Sequence, residues 1–132
     1  MNGLRPAAQQ RWRLLLAALL ATILWLALTP APPKQADLGW DKLNHASAFA
    51  TLALVATRGF GRAAWWRIAL ALLAYGGLIE VLQSFTPTRQ TEWADLLADA
   101  VGVAAGLVLS LAAGWLLARR WRPGDGQRTP TA

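Results

Sequence analysis

Cysteine is absent from the 132 residues, so no disulfide scaffold and no thiolate metal or redox motif is available. Histidine occurs once. With that single imidazole and no thiol, a zinc site would need carboxylate ligands, and magnesium or calcium would suit the available donors better. Charge is scarce as well, at 15% of residues against roughly 25% in soluble domains. Ser47 and Ser84 are present, but no nucleophile elbow or glycine-rich phosphate loop surrounds them. The remaining composition is 55% hydrophobic, which excludes intrinsic disorder.

The apolar residues arrive in long blocks, which a soluble domain of this size could not bury. Four blocks can be drawn, about Trp12 to Thr29, Asp41 to Thr57, Ala63 to Phe85 and Trp93 to Ala118. Isolated membrane spans satisfy their backbone only as helices. The expected fold is therefore all-α, a four-helix transmembrane bundle with short loops. Residues 1–11 form an N-terminal segment, 12–118 the membrane domain, and 119–132 a basic, disordered tail. The second block is short: seventeen residues give about 26 Å of helix, barely a span. Pro30, Pro32 and Pro33 follow the first block, make a stiff outer loop and disfavour signal cleavage there, so an uncleaved first span is expected. Gly59 and Gly61 mark the turn after the second block, and Pro87 ends the third.

Acid is the rarer sign, with 7 Asp and Glu against 13 Lys and Arg and a net charge of +6. A basic chain suggests nucleic acid, but the placement of the cations argues against it. Arg5, Arg11 and Arg13 precede the first apolar run, Arg58, Arg62 and Arg67 lie between the second block and the core of the third, and Arg119, Arg120, Arg122 and Arg128 follow the fourth. The other two connections hold only Lys34, Lys42 and Arg89, diluted by Asp37, Asp41, Glu92 and Asp95. This alternation is the positive-inside pattern. It implies an N-in/C-in, multi-pass protein of a bacterial cytoplasmic membrane with no nucleic-acid partner. Trp25, Trp40, Trp65, Trp66, Trp93 and Trp115 fit interface anchors.

Ionisable groups inside spans are costly, and here they share a level. Counting inward from Asp41, Thr86 and Trp93, His45 lies about 6 Å deep, and Glu80 and Asp99 each about 9 Å. Asp41 and His45 are i, i+4 on one face, where Asp41 could fix the imidazole tautomer. Glu80 and Gln83 are i, i+3, with Gly76 one turn below Glu80. On the last block Asp95, Asp99, Gly102, Gly106 and Ser110 form a stripe, polar outside and small inside. Gly76, Gly102 and Gly106 read as packing positions, the last two as a close-approach pair. The pattern predicts an outward-opening crevice whose ligand-binding residues are Asp41, Lys42, His45, Glu80, Gln83, Arg89, Asp95 and Asp99. Lys42 and Arg89 at its rim could hold an anionic group.

At these residues the chain resembles the VanZ-like family of bacterial membrane proteins. The resemblance rests on Asp41-Lys42-x-x-His45-x-x-x-Phe49, Glu80-x-x-Gln83, Pro87-x-Arg89 with Glu92, and Asp95-x-x-x-Asp99-x-x-Gly102, across about residues 40–110. Asp99 departs from the pattern, standing where the family more often has Asn. The resemblance implies a cell-envelope protein, in a family whose namesake is associated with resistance to the glycopeptide teicoplanin. It carries a location and a residue set rather than a reaction.

Two functional readings and a bland one follow. The crevice binds a membrane lipid or lipid-linked envelope precursor, with no cofactor and no metal. Alternatively Glu80 or Asp99 acts as base with His45 as acid/base partner and Arg89 as anion clamp, at a lipid headgroup. The bland reading is a structural assembly partner whose polar cluster only fixes bundle geometry. No catalytic residue is assigned, and the oligomeric state is open.

The cysteine-free background makes the orientation directly testable. A membrane-impermeant thiol reagent applied to intact cells should label Gln35→Cys and leave Gln127→Cys unlabelled until the cells are opened.

Overall fold

The computed structural model describes residues 6–30, 40–87 and 92–120. Among them lie four long helices and no strand: α1 Pro6–Leu28, α2 Asp41–Phe60, α3 Trp65–Gln83 and α4 Trp93–Arg120, with a single 3-10 turn, Arg62–Ala64, leading into α3. Three are long and apolar enough to cross a membrane, namely α1, α3 with its preceding turn, and α4. The 30-to-40 loop, Arg89 and the tail after Arg120 fall outside the described residues, in whole or in large part.

Helix boundaries differ from the sequence expectation in instructive ways. α1 starts at Pro6, not Trp12, because proline suits a first helical turn where its missing N–H costs nothing. α2 continues past Thr57 to Phe60, and its 20 residues give about 30 Å, a full span by length. Gly59 therefore stays inside the helix, packed against Arg13 of α1. Gly61 alone makes the turn, with φ 95°, a conformation that side-chain-bearing residues rarely adopt.

α2 is the central helix. Phe49, Leu52, Ala53, Val55, Ala56, Thr57 and Gly59 are all buried, and its main neighbours are α4 and then α1. This explains its composition: a helix enclosed by others need not be apolar enough to meet lipid on every side. α1 buries only Leu16 fully. Trp12, Leu19, Leu20, Ile23, Leu24 and Ala27 lean on the core as a stripe at helical spacing. Tyr75 and Gln83 of α3 reach α1 through hydrogen bonds to the carbonyls of Leu20 at 2.6 Å and Ala27 at 3.0 Å.

Successive helices reverse direction, so α2 and α4 run parallel to each other. Their seam is a ladder of small residues between polar pairs. Lys42 meets Asp95, His45 meets Asp99, and Thr57 Oγ1 lies 2.7 Å from Ser110 Oγ, with partners always 53 or 54 residues apart. Between these rungs, a Cβ on Gly102 would strike the Ala46 backbone, and one on Gly106 would strike the Ala50 carbonyl and lie 2.8 Å from Ala53 Cβ. The glycine pair expected to admit a neighbouring backbone thus admits α2.

The two ends of the bundle differ in charge. Arg13, Arg58 and Arg62 gather where α2 ends, bound to Gly59 O, stacked over Trp12, and bound to Ser110 O respectively. All described acids sit at or near the opposite end: Asp41, Glu80, Glu92, Asp95 and Asp99. Exposed tryptophans flank both ends, Trp65, Trp66 and Trp115 near the arginines and Trp25, Trp40 and Trp93 near the acids.

Gly102→Ala and Gly106→Ala should each lower stability by about 1–3 kcal/mol through forced separation of α2 and α4. Gly77→Ala, where an added Cβ meets nothing within 4 Å, should instead stabilise by up to about 1 kcal/mol. Thermal unfolding in mild detergent reads all three.

Candidate functional site

The half of the α2–α4 seam nearest the start of both helices carries the ionisable groups. His45 Nδ1 lies 2.8 Å from Asp99 Oδ1, and the two side chains are 14% and 1% exposed. One proton lies between them. With Asp99 ionised, Nδ1 donates it, which fixes the tautomer and leaves Nε2 with a free lone pair. The orienting partner is therefore Asp99, not Asp41 as the i, i+4 spacing suggested. Asp41 is exposed. It offers a ligand atom within 4.8 Å of those from His45 and Asp95, a grouping that could receive a divalent cation. Asp95 is already engaged there by an ammonium group.

That ammonium is Lys42. It lies 2.8 Å from Glu92 Oε2 and 3.3 Å from Asp95 Oδ1, so it is a bridging cation between α2 and the start of α4. It holds the Glu92 carboxyl below its ordinary range. The Lys42–Glu92 attraction is accordingly present above the unfolded carboxylate range and lost as pH falls through the depressed value. Lys42 is half-buried and Glu92 exposed, so solvent screening keeps its worth small.

Glu80 of α3 stands apart. Both its carboxylate oxygens are shielded from solvent and no side chain bonds them; the Glu92 backbone N–H is the donor that approaches them, and His45, Asp95 and Asp99 lie within electrostatic reach. Asp99 Oδ2 is buried without a partner. It points toward Gly76, where a Cβ would stand 2.6 Å from that oxygen and 3.3 Å from Phe49 Cζ. Gly76 thus makes room for the carboxylate.

Beside Glu80 a cavity of about 430 Å³ opens between α3 and α4, lined by Gly77, Glu80, Val81, Ser84, Glu92, Trp93 and Leu96. The polar residues expected around one crevice therefore fall into two neighbouring sets. Lys42, His45, Asp95 and Asp99 form a buried strip along α2 and α4, while Glu80 lines the cavity. Gln83 joins neither, since its amide is committed to Ala27 of α1. Arg89 lies outside the described residues. The residues that sequence reasoning missed are Gly77, Val81, Ser84, Trp93 and Leu96. Gly77, Glu80, Val81 and Ser84 share one face at i, i+3, i+4 and i+7, a stripe that helical periodicity could have exposed.

Asp99→Asn should cost under about 1 kcal/mol because the amide oxygen still accepts from Nδ1. His45→Ala should cost about 1–3 kcal/mol by stranding the Asp99 carboxylate. Adding Asp99→Asn to His45→Ala should recover part of that loss. Unfolding midpoints of the three variants check the ordering.

A family model described as VanZ/LLP1 matches residues 9–117. No curated protein and no solved structure matches the chain.

Proposed function

The chain belongs to the VanZ/LLP1 family, and from that membership we propose that it binds the polar head of an amphiphilic molecule of the cell envelope in the α3–α4 cavity. The protein would lie in a bacterial cytoplasmic membrane with its arginine-rich end inside, so that the cavity opens near the outer surface. The observation that carries this reading is an apolar-walled cavity bordered by two acidic residues, Glu80 and Glu92. Val81, Trp93 and Leu96 offer surface to a chain or ring, and Glu80 and Glu92 give one edge of the cavity a polar, acidic character. A volume of about 430 Å³ falls in the range of small-molecule sites, about 300–1,000 Å³. An ionisable side chain inside a membrane span is a functional candidate by default.

The hydrogen-bonded His45–Asp99 pair favours a second reading, acid/base chemistry on a headgroup. His45 is not among the residues lining the cavity, and its other close neighbours are Asp41 and Asp95. Binding is accordingly the better reading of this geometry.

Purified protein analysed by native mass spectrometry should carry an amphiphile that is lost on Gly77→Leu, which fills the cavity from a position with no close neighbour. Glu80→Gln should reduce occupancy while leaving the melting temperature within a few degrees of the parent. Full retention by both variants would contradict the proposal. Unfolding of Glu80→Gln without change in bound lipid would favour a purely structural role.

A further inference from the structure

The arginine-rich end of the bundle carries cations without counter-charges. Arg11 and Arg13 of α1, Arg58 of α2, Arg62 of the following turn, Arg67 of α3 and Arg119 of α4 all lie there. Among the described residues none of them pairs with a carboxylate, since the ion pairs, all at the other end, use Lys42 and His45. The sequence leaves little to supply one. Beyond the acids already placed at the opposite end it holds only Asp37, in the connection that leads to the start of α2 there, and Asp125, beyond α4. Asp125 is thus the single carboxylate on the C-terminal side for all these guanidiniums.

Two of the arginines are held by the same construction. Arg13 donates from Nε to Gly59 O at 2.9 Å, and a Cβ on that glycine would lie 3.0 Å from its Cγ. Arg62 donates from Nε to Ser110 O at 2.8 Å, and a Cβ on Gly114 would lie 2.6 Å from its guanidinium carbon. Each Nε is therefore tied to a carbonyl of a neighbouring helix, while the terminal nitrogens make no hydrogen bond among the described residues. A guanidinium is planar, so fixing Nε also fixes the direction of the terminal N–H groups. Much of the side-chain entropy is then lost in folding rather than at binding.

We propose that this end is a docking surface for anionic phospholipid, whose phosphate oxygens accept from the terminal N–H groups of Arg13 and Arg62. Such bonds are charge-assisted, and the guanidinium fork matches a phosphate. Arg58, Arg67 and Arg119 are exposed over Trp12, Trp66 and Trp115 and add positive potential to the same surface. The exposed indoles of Trp65, Trp66 and Trp115 belong at headgroup level, which brings the arginines within reach of phosphates in whichever leaflet this end lies. The surface lies across the bundle from the α3–α4 cavity, so the two sites are tested separately.

The test titrates the full chain in an uncharged detergent with phosphatidylglycerol, with phosphatidylcholine of the same acyl chains, and with inorganic phosphate. Native mass spectrometry reads occupancy, and thermal unfolding reads the shift that each addition produces. Phosphatidylglycerol should bind about tenfold more tightly than phosphatidylcholine, the worth of one charge-assisted hydrogen bond. It should raise the melting temperature where inorganic phosphate at equal concentration does not. Arg13→Gln and Arg62→Gln should each cut the preference about fivefold. Their lipid-induced shifts are taken against their own lipid-free melting temperatures, so a lowered baseline leaves the reading intact. Gly114→Ala displaces the Arg62 guanidinium without changing charge and should weaken the preference as well. Arg11→Gln removes one charge from an exposed arginine that makes no hydrogen bond or ion pair among the described residues, and should leave most of the preference in place. Losses in Arg13→Gln and Arg62→Gln no greater than that in Arg11→Gln would show diffuse attraction and overturn the proposal. Equal binding of the two lipids by the parent, or an equal shift with inorganic phosphate, overturns it without any variant.

Discussion

The close approach of α2 and α4 sets nearly everything else in this molecule. Gly102 and Gly106 let the Ala46 and Ala50 backbone come into contact, and a Cβ at either glycine would hold the helices apart. At that spacing, short side chains reach across. Aspartate, with a single methylene, can meet His45 and Lys42 from Asp99 and Asp95, and Thr57 can meet Ser110. A polar group buried without a partner costs about 1–3 kcal/mol, so each of these contacts depends on the glycines one or two turns away. In lipid no hydrophobic force brings helices together, and packing with interhelical hydrogen bonds must do so. The seam supplies both.

The opposite end is organised by a different need. α2 leaves carbonyls in its last turn with fewer internal partners, and cations near a helix C-terminus are favoured; the Ser110 carbonyl, by contrast, lies in the interior of α4. Arg13 donates to Gly59 O at 2.9 Å and Arg62 to Ser110 O at 2.8 Å, so two charges of the arginine-rich end also serve packing. Arg62 runs beside Gly114, where a Cβ would lie 2.6 Å from its guanidinium carbon. Arg58, Arg67 and Arg119 lie over Trp12, Trp66 and Trp115 instead. Such cation–aromatic pairs suit a membrane interface, where one partner is wet and the other partly immersed.

Much of this was legible from the chain because helical rise is fixed. Counting residues from the outer boundary brought His45 and Asp99 to similar depth, and they do meet. The step from Asp95 to Ser110 marked the face of α4 that packs, and the family residues lie along it. What counting could not provide was azimuth, the direction each side chain takes around its helix relative to neighbours. Glu80 shares the depth of Asp99 but makes no side-chain bond to it or to His45 and borders a separate cavity, and Gln83 turns to α1, where it donates to the Ala27 carbonyl. Asp41 has the right spacing to orient His45, yet the α4 carboxylate competes for the same nitrogen and wins by reaching it at 2.8 Å. Helix ends were also read short, since Pro6 begins a helix as readily as it ends one and Gly59 fits within one when packed against Arg13.

The distinction between a structural and a ligand-directed polar group follows from what each group does inside the bundle. A buried residue that specifies helix register does so through directional bonds, which is the behaviour of His45, Asp95, Thr57 and Ser110. No side chain bonds Glu80, so its carboxylate carries the cost of burial without the side-chain pairing that the seam residues have. A leucine at the same position would pack against Val81 and Leu96 with no such penalty. The carboxylate is therefore not explained by the fold that contains it. An acid kept beside an apolar-walled cavity is what the proposed binding of a polar head in that cavity calls for.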